Sequence, residues 1–193
     1  MEAQREKPSA SDVACYIIQR KKLNNESITG YQLEKLLYYC QVWSLVVNKR
    51  PLFDDDILAF KNGPVVRGVI SQHQGRITVP ENCISGDSSR VSGADVSVIE
   101  AVLSSYGGFS GDYLVALTHR EDPWVKSFNG NTSPSSSAVI PMSVLEDYYT
   151  KLISSDYETR LLHHVPKFDH PANIYVSESD FAWLESFLEE EPF

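Results

Sequence analysis

Tyr31-Gln-Leu-Glu-Lys-Leu-Leu-Tyr-Tyr-Cys-Gln-Val-Trp-Ser-Leu-Val-Val-Asn48 decides the fold. Leu33, Leu36, Leu37, Cys40, Trp43 and Val47 recur at spacings of three and four, the period of one helical face. Tyr38, Tyr39, Val42, Leu45 and Val46 make the other faces nearly as apolar, so this helix is expected to be enclosed by protein on all sides. An enclosed helix needs a shell of further elements, and the sequence on either side supplies it.

Upstream, Ser9-Ala-Ser-Asp12 has the form of a capping box, in which hydroxyl and carboxylate satisfy free N–H groups at a helix start. Val13, Ile17 and Ile18 follow at helical spacing, and Arg20, Lys21 and Lys22 suit a helix C-terminus, predicting a helix over 11–23. Residues 24–30 read as a loop. Downstream, Ile57–Lys61 is a short apolar run bounded by turn residues, which predicts a strand, with Asn62-Gly63-Pro64 as a tight turn. Residues 65–74 fit one short helix and 75–92 are polar and turn-rich. Ser92-Gly-Ala-Asp95 has the form of a second capping box, opening a helix with Val96, Ile99, Leu103 and Tyr106 on one face and Gly107-Gly108 as its stop. Ser110 caps a further helix through Tyr113, Leu114 and Leu117 to Thr118-His119, after which Arg120–Trp124 reads as a turn that inserts its Trp. Residues 129–137 read as an exposed loop and Ala138–Ile140 as at most a short strand. Pro141 starts a helix carrying Val144, Leu145, Tyr148, Tyr149, Leu152 and Ile153.

These elements predict a mainly α protein: a compact helical domain with a central buried helix and a few short β-strands, an α+β arrangement remaining open. The expected domain spans 9–155. Residues 156–193 form an appended acidic amphipathic segment, in which Pro166 and Pro171 separate His163-His164 from Ile174–Val176. Ser177–Asp180 then caps a last apolar stripe of Phe181, Leu184 and Leu188 with Trp183 and Phe187 beside it.

The chain has 193 residues, 42% hydrophobic and 22% charged, the proportions of an ordinary globular protein rather than a disordered or low-complexity one. With 26 acidic against 17 basic residues the net charge is −9, so unaided binding to a nucleic-acid backbone is disfavoured. No Lys or Arg follows Lys167, whereas Glu178, Asp180, Glu185, Glu189, Glu190 and Glu191 do, which points to a basic partner or to solubility. Cys15, Cys40 and Cys83 fit neither a disulfide framework nor a zinc ribbon and suggest a reducing compartment. The polar N-terminus lacks the apolar core of a signal peptide, and no run approaches the roughly 18 apolar residues that span a bilayer. A cytoplasmic location and no membrane association are expected.

Catalytic signals are weak. His119, Glu121 and Asp122 could supply a metal ligand pair or a general base, but catalytic metal sites usually need three protein ligands and no third lies at a diagnostic spacing. His119 reads better as a helix-terminal residue hydrogen-bonded to backbone. His163, His164 and His170 read as a solvated linker rather than a metal site. No G-x-S-x-G, P-loop or G-x-G-x-x-G is present, and Arg20-Lys-Lys22 reads as a solvated helix cap.

Four blocks rise above this background: Leu33–Trp43, Arg50–Ile57, Ala59–Val65, and Leu117-Thr-His-Arg-Glu-Asp-Pro-Trp124. Together, over roughly Ser9 to Tyr149, they resemble the Panacea domain, the SocA-like and phage-associated, GepA-like antitoxin family. There the blocks look like L-Q-K-L-L-Y-Y-x-Q-x-W, R-P-L-F-x-x-x-I-x-A-W-x-x-G-P-V and L-T-H-x-x-x-P-W. The chain departs from them at Glu34, Val42 and Phe60, and Glu34 is the departure expected to change a partner contact. The motif residues carried over are Lys35, Tyr38, Trp43, Lys61, Gly63, Pro64, His119, Pro123 and Trp124. Leu33, Leu36, Leu37 and Trp43 read as core; Lys35, Lys61 and His119 either bond one another across the turn or share a surface patch.

The resemblance implies the antitoxin of a type II toxin-antitoxin pair, which binds a cognate cytoplasmic toxin directly, catalyses no reaction and needs no cofactor. It leaves room for homo-oligomerisation. It also implies an alternative, since a relative acts as a proteolysis adaptor delivering its toxin to an ATP-dependent protease, and relatives serve very different toxins, including alarmone-synthetase-like ones. A metal-dependent hydrolase using His119, Asp122 and a tail histidine is the remaining reading. The expected toxin contact is Phe181, Trp183, Leu184, Phe187 and Leu188 with Glu185 at the fringe, because aromatic anchors beside acids suit a basic, nucleotide- or RNA-handling toxin.

Overall fold

A computed structural model describes residues 7–74, 76–129 and 138–168. Among these residues the chain forms eight α-helices and one two-stranded sheet, the mainly α fold expected. Helix α1 (Ala10–Leu23) opens with the expected capping box: the Ser9 hydroxyl accepts from Asp12 N and the Asp12 carboxylate accepts from Ser9 N. Helix α2 (Gly30–Val47) starts one residue earlier than its apolar pattern, because the Thr29 hydroxyl accepts from Gln32 N. Every residue of α2 except Tyr31 and Val47 is buried. The enclosure comes from α1, α3 (Arg67–His73), α4 (Ala94–Tyr106), α5 (Gly111–Thr118), α7 (Met142–Ile153) and strand β2 (Gly63–Val66).

Strand β1 (Ile57–Phe60) pairs antiparallel with β2, Ile57 opposite Val66 and Phe60 opposite Gly63. Asn62-Gly63-Pro64 is therefore not the turn. Lys61 and Asn62 make it, and Gly63, with φ of +89°, takes the left-handed conformation that returns the chain to the ladder. Val65 and Val66 belong to this strand, so the helix predicted over 65–74 is shorter at its start. Ala138–Ile140 adds a single bridge on the far side of β1, with Ala59 N donating to Ala138 O and Ile140 N to Ile57 O.

Three local expectations fail for identifiable reasons. The second capping box does not form: the Asp95 carboxylate is held by Arg50 at 2.6 Å, and Gly93, with φ of +58°, stands at the N-cap without a side-chain cap. The buried face of α4 accordingly runs through Val98, Ile99, Val102 and Tyr106, with Val96 and Leu103 only half-buried. As expected, α4 stops at Gly107, although the φ of −63° there is not left-handed. Arg120–Trp124 is only partly a turn, because Pro123 sits in the first turn of α6 (Asp122–Phe128), where its missing N–H has no cost.

Helix α8 (Tyr157–Leu162) is capped by Asp156 and packs against α7, and residues 163–168 run back over the body as a strap. His163 and His164 are half-buried in this strap and are not a solvated linker: Tyr106 donates to His163 O at 3.0 Å, and the His164 ring lies 4.6 Å from that of Phe109. His170, Pro171, Ile174–Val176 and the whole Phe181–Leu188 stripe lie outside the described residues.

Gln41 shows how the enclosed helix controls its surroundings. Its amide oxygen accepts from Leu52 N and Phe53 N, and its amide nitrogen donates to Phe53 O, all in the buried interior. Gln41→Leu keeps the volume but leaves those backbone groups unpaired, at about 1–3 kcal/mol each. Urea denaturation should show a loss of several kcal/mol with the slope unchanged.

Candidate functional site

The motif residues converge on the hairpin and the ends of α2, α5 and α6. Lys35 on α2 is fully buried, and its Nζ donates to Pro64 O at 2.9 Å. Pro64 offers a carbonyl but no N–H, so β2 meets the ammonium with an acceptor and leaves no unpaired donor there. Burial pushes the Lys35 amine down to about 8, against the pull of the Glu34 carboxylate. A Cβ at Gly63 would lie 2.5 Å from Lys35 Cε and 2.8 Å from Thr118 Oγ1, so the positive φ and the close approach both require glycine.

Glu34, next to Lys35, is also buried. Its carboxylate accepts from Val66 N at 2.7 Å and lies 2.7 Å from the buried His73 Nε2. Glu34 therefore changes no partner contact: it fastens α2 to β2 and α3 inside the protein. Of the other departures, Val42 is fully buried and Phe60 half-buried, its carbonyl accepting from Trp124 Nε1 at 2.9 Å.

His119 stands at the C-cap of α5, as expected for a helix-terminal histidine, and its backbone N donates to Val115 O. The ring stacks on Trp124 at 4.0 Å with 16° between planes, and Trp124 in turn stacks on Phe128 at 4.7 Å. Its Nε2 is buried without a hydrogen-bond partner among the described residues. Burial and then the Lys35 charge hold the imidazole below its ordinary pKa, opposed by a hydrogen bond with the Lys61 backbone, so it is neutral at pH 7. Of the bonds expected among Lys35, Lys61 and His119, the His119 ring makes one, to the Lys61 backbone, and the three share no surface patch, because Lys35 is enclosed whereas the Lys61 side chain is exposed. Asp122 pairs with Lys126 on the surface rather than with His119, and among the described residues no three His, Cys, Asp or Glu side chains group to hold a metal.

The reading from sequence missed the most unusual group. Glu121, at the N-cap of α6, is almost fully buried and accepts from Tyr39 at 3.0 Å and Tyr149 at 2.7 Å; the Tyr149 hydroxyl lies 3.2 Å from that of Tyr38. No cation is paired with it among the described residues. Burial raises its carboxyl to about 7, although the three phenols favour the charged form. The same burial, reinforced by the Glu121 charge, pushes the Tyr38, Tyr39 and Tyr149 phenols well up. Trp43 closes the cluster: its ring meets Tyr149 edge-on at 5.3 Å and its Nε1 lies 3.4 Å from the Tyr106 hydroxyl. The sequence signal was faint, a run of tyrosines on α2 and α7 with one carboxylate between the helices they join.

A cleft of about 220 Å³ between α1 and α4 is lined by Arg20, Lys21, Glu26, Glu100 and Gly107. It falls below the range of about 300–1,000 Å³ usual for ligand sites. Its charges already engage one another: Arg20 grips Glu100 through two nitrogens, and Lys21 pairs with Glu26 while donating to Gly107 O at 2.6 Å. Of Arg20-Lys-Lys22 at the end of α1, Lys22 stays exposed as expected of a solvated cap while pairing with Glu81, Arg20 is half-exposed, and Lys21 is buried.

The motif residues, with the carboxylate–tyrosine cluster beside them, fix how helices and hairpin meet. Residues 33–125 match the family model described as "Antitoxin SocA-like, Panacea domain". That stretch of the chain is a Panacea domain of the SocA-like antitoxin family. No curated protein and no solved structure matches the chain.

Glu121 gives a pH signature. Its folded pKa of about 7 lies above the ordinary 4.5, so the folded state holds this proton more tightly. The resulting stabilisation is present at low pH and is lost as pH rises from about 4.5 through 7. Glu121→Gln keeps an acceptor for the phenols and removes the titration. The stability difference between wild type and variant, from urea melts, should shift against the wild type by on the order of 3 kcal/mol between pH 5 and pH 8.

Proposed function

We propose that the protein is the antitoxin of a two-gene type II toxin-antitoxin system and neutralises its toxin by direct binding, without catalysing a reaction. The observation that carries this reading is the family match over 33–125. The inward use of polar residues within these blocks supports it: Lys35, Glu34, Gln41 and Glu121 all bond within the protein, as suits a scaffold that presents a surface. Among the described residues no helix is long and apolar enough to cross a membrane.

In this reading the body over 9–155 is the scaffold and residues 156–193 carry the contact. The aromatic residues Phe181, Trp183 and Phe187, with Leu184, Leu188 and Glu185, meet a cytoplasmic toxin that is basic and handles nucleotide or RNA. Net charge of −9 steers such a partner in and disfavours autonomous DNA binding.

Expression of the adjacent reading frame, alone and together with this chain, tests the proposal. Growth arrest by the neighbour alone, and recovery on co-expression, is expected. Trp183→Ala with Phe187→Ala should lose at least about tenfold in affinity for the purified partner, a typical cost of removing central aromatic anchors. Neighbours that are harmless when expressed alone overturn the antitoxin reading. Recovery that disappears in cells lacking an ATP-dependent protease replaces occlusion with the adaptor role.

A further inference from the structure

Helix α8 exposes an unusual amount of apolar surface for six residues. Tyr157 and Leu161, one turn apart, are 70% and 60% exposed, and Leu162 beside them is 73% exposed. Three exposed bases surround this face in the sequence, Lys151 at the end of α7, Arg160 on α8 and Lys167 on the strap, and none forms an ion pair among the described residues. The acids of the same stretch are Glu146 and Asp147 on α7, Glu158 on α8, and Asp156, which caps α8 through Thr159.

The strap fixes where the chain leaves the body. His164 Nε2 lies 2.8 Å from the Tyr113 hydroxyl, and the Phe168 ring lies 5.9 Å from that of Trp43. Beyond Phe168 the sequence contains no Lys or Arg. It carries Phe181, Leu184 and Leu188 at helical spacing, with Glu185, Glu189 and Glu190 among them. The stretch 169–180 reaches at most about 40 Å when extended. Tethering at this length holds the segment at an effective concentration on the order of millimolar, so a weak complementary contact is populated.

We propose that residues 181–190 of the same chain dock on the α8 face, laying Phe181, Leu184 and Leu188 against Tyr157, Leu161 and Leu162 with the glutamates toward Arg160 and Lys167. In the free protein this covers the aromatic segment, and any partner that uses the segment must displace it from α8. The docking does not depend on the antitoxin reading, because its test needs no toxin.

Hydrogen exchange of the full-length protein, followed by mass spectrometry, tests the contact. Amides of 181–190 should exchange at least about tenfold more slowly than an unstructured chain. Leu161→Asp with Leu162→Asp should restore the unstructured rate and leave α2 exchange unchanged, since both leucines point to solvent. Arg160→Glu with Lys167→Glu, a second variant that keeps the apolar face, should reduce the protection at least twofold. Unstructured exchange of 181–190 in the wild type overturns the proposal, as does full protection in either variant with α2 intact. Protection that rises with protein concentration puts the segment on a second copy and likewise overturns docking within one chain.

Discussion

Helix α2 is enclosed on every side and yet carries Glu34, Lys35, Gln41 and Ser44, all buried. A buried polar group without a partner costs more than a satisfied one contributes, so each of these side chains must find its bond inside the protein. The partners they find are irregular or edge backbone: Val66 N for Glu34, Pro64 O for Lys35, Leu52 and Phe53 for Gln41, and Arg50 O for Ser44. The path of the chain from Arg50 to Val66 is thereby fixed by one helix. Apolar packing alone would tolerate many positions for that stretch; the directional bonds of these four side chains tolerate one.

The other end of the scaffold obeys the same constraint with different chemistry. Glu121 links α6 to Tyr39 on α2 and Tyr149 on α7, and Tyr39 stacks on Tyr106 of α4 at 4.0 Å with 1° between planes. Phenols are suited to this work because each offers one donor on a large apolar ring. The carboxylate can therefore be satisfied without bringing a second charge into the core. Tyr106 then passes the linkage on to the strap through His163 O, so four helices and the strap share one connected interior.

What was legible in the sequence was local. The capping box at Ser9 and Asp12, the apolar period of α2, the Ser110 cap and the short strand at Ile57 each depend on residues within a few positions of one another. Failures arose where a distant residue outbid a near one. Asp95 looked like a capping-box carboxylate until Arg50, far away in sequence, claimed it; Glu34 looked like a partner contact because its internal partners, Val66 and His73, lie across a turn, a strand and a helix. Glu121 stood in a charged run that reads as surface, and nothing nearby announced that Tyr39 and Tyr149 would surround it.

The same distinction bears on function. The motif that places residues 33–125 in the Panacea domain is made largely of inward-facing groups: Lys35 at the hairpin, Trp43 among the tyrosines, Trp124 bonded to Phe60 O. Such a motif identifies a scaffold, because those bonds constrain each other whatever lies outside. It carries little information about a partner, since exposed side chains such as those of Val125 and Leu162 take no part in those internal hydrogen bonds and can change without disturbing them. Recognition must accordingly be sought where the chain departs from the shared interior, on the surface of the helices and in the segment that follows the strap, and a single internal architecture can serve partners with unrelated activities.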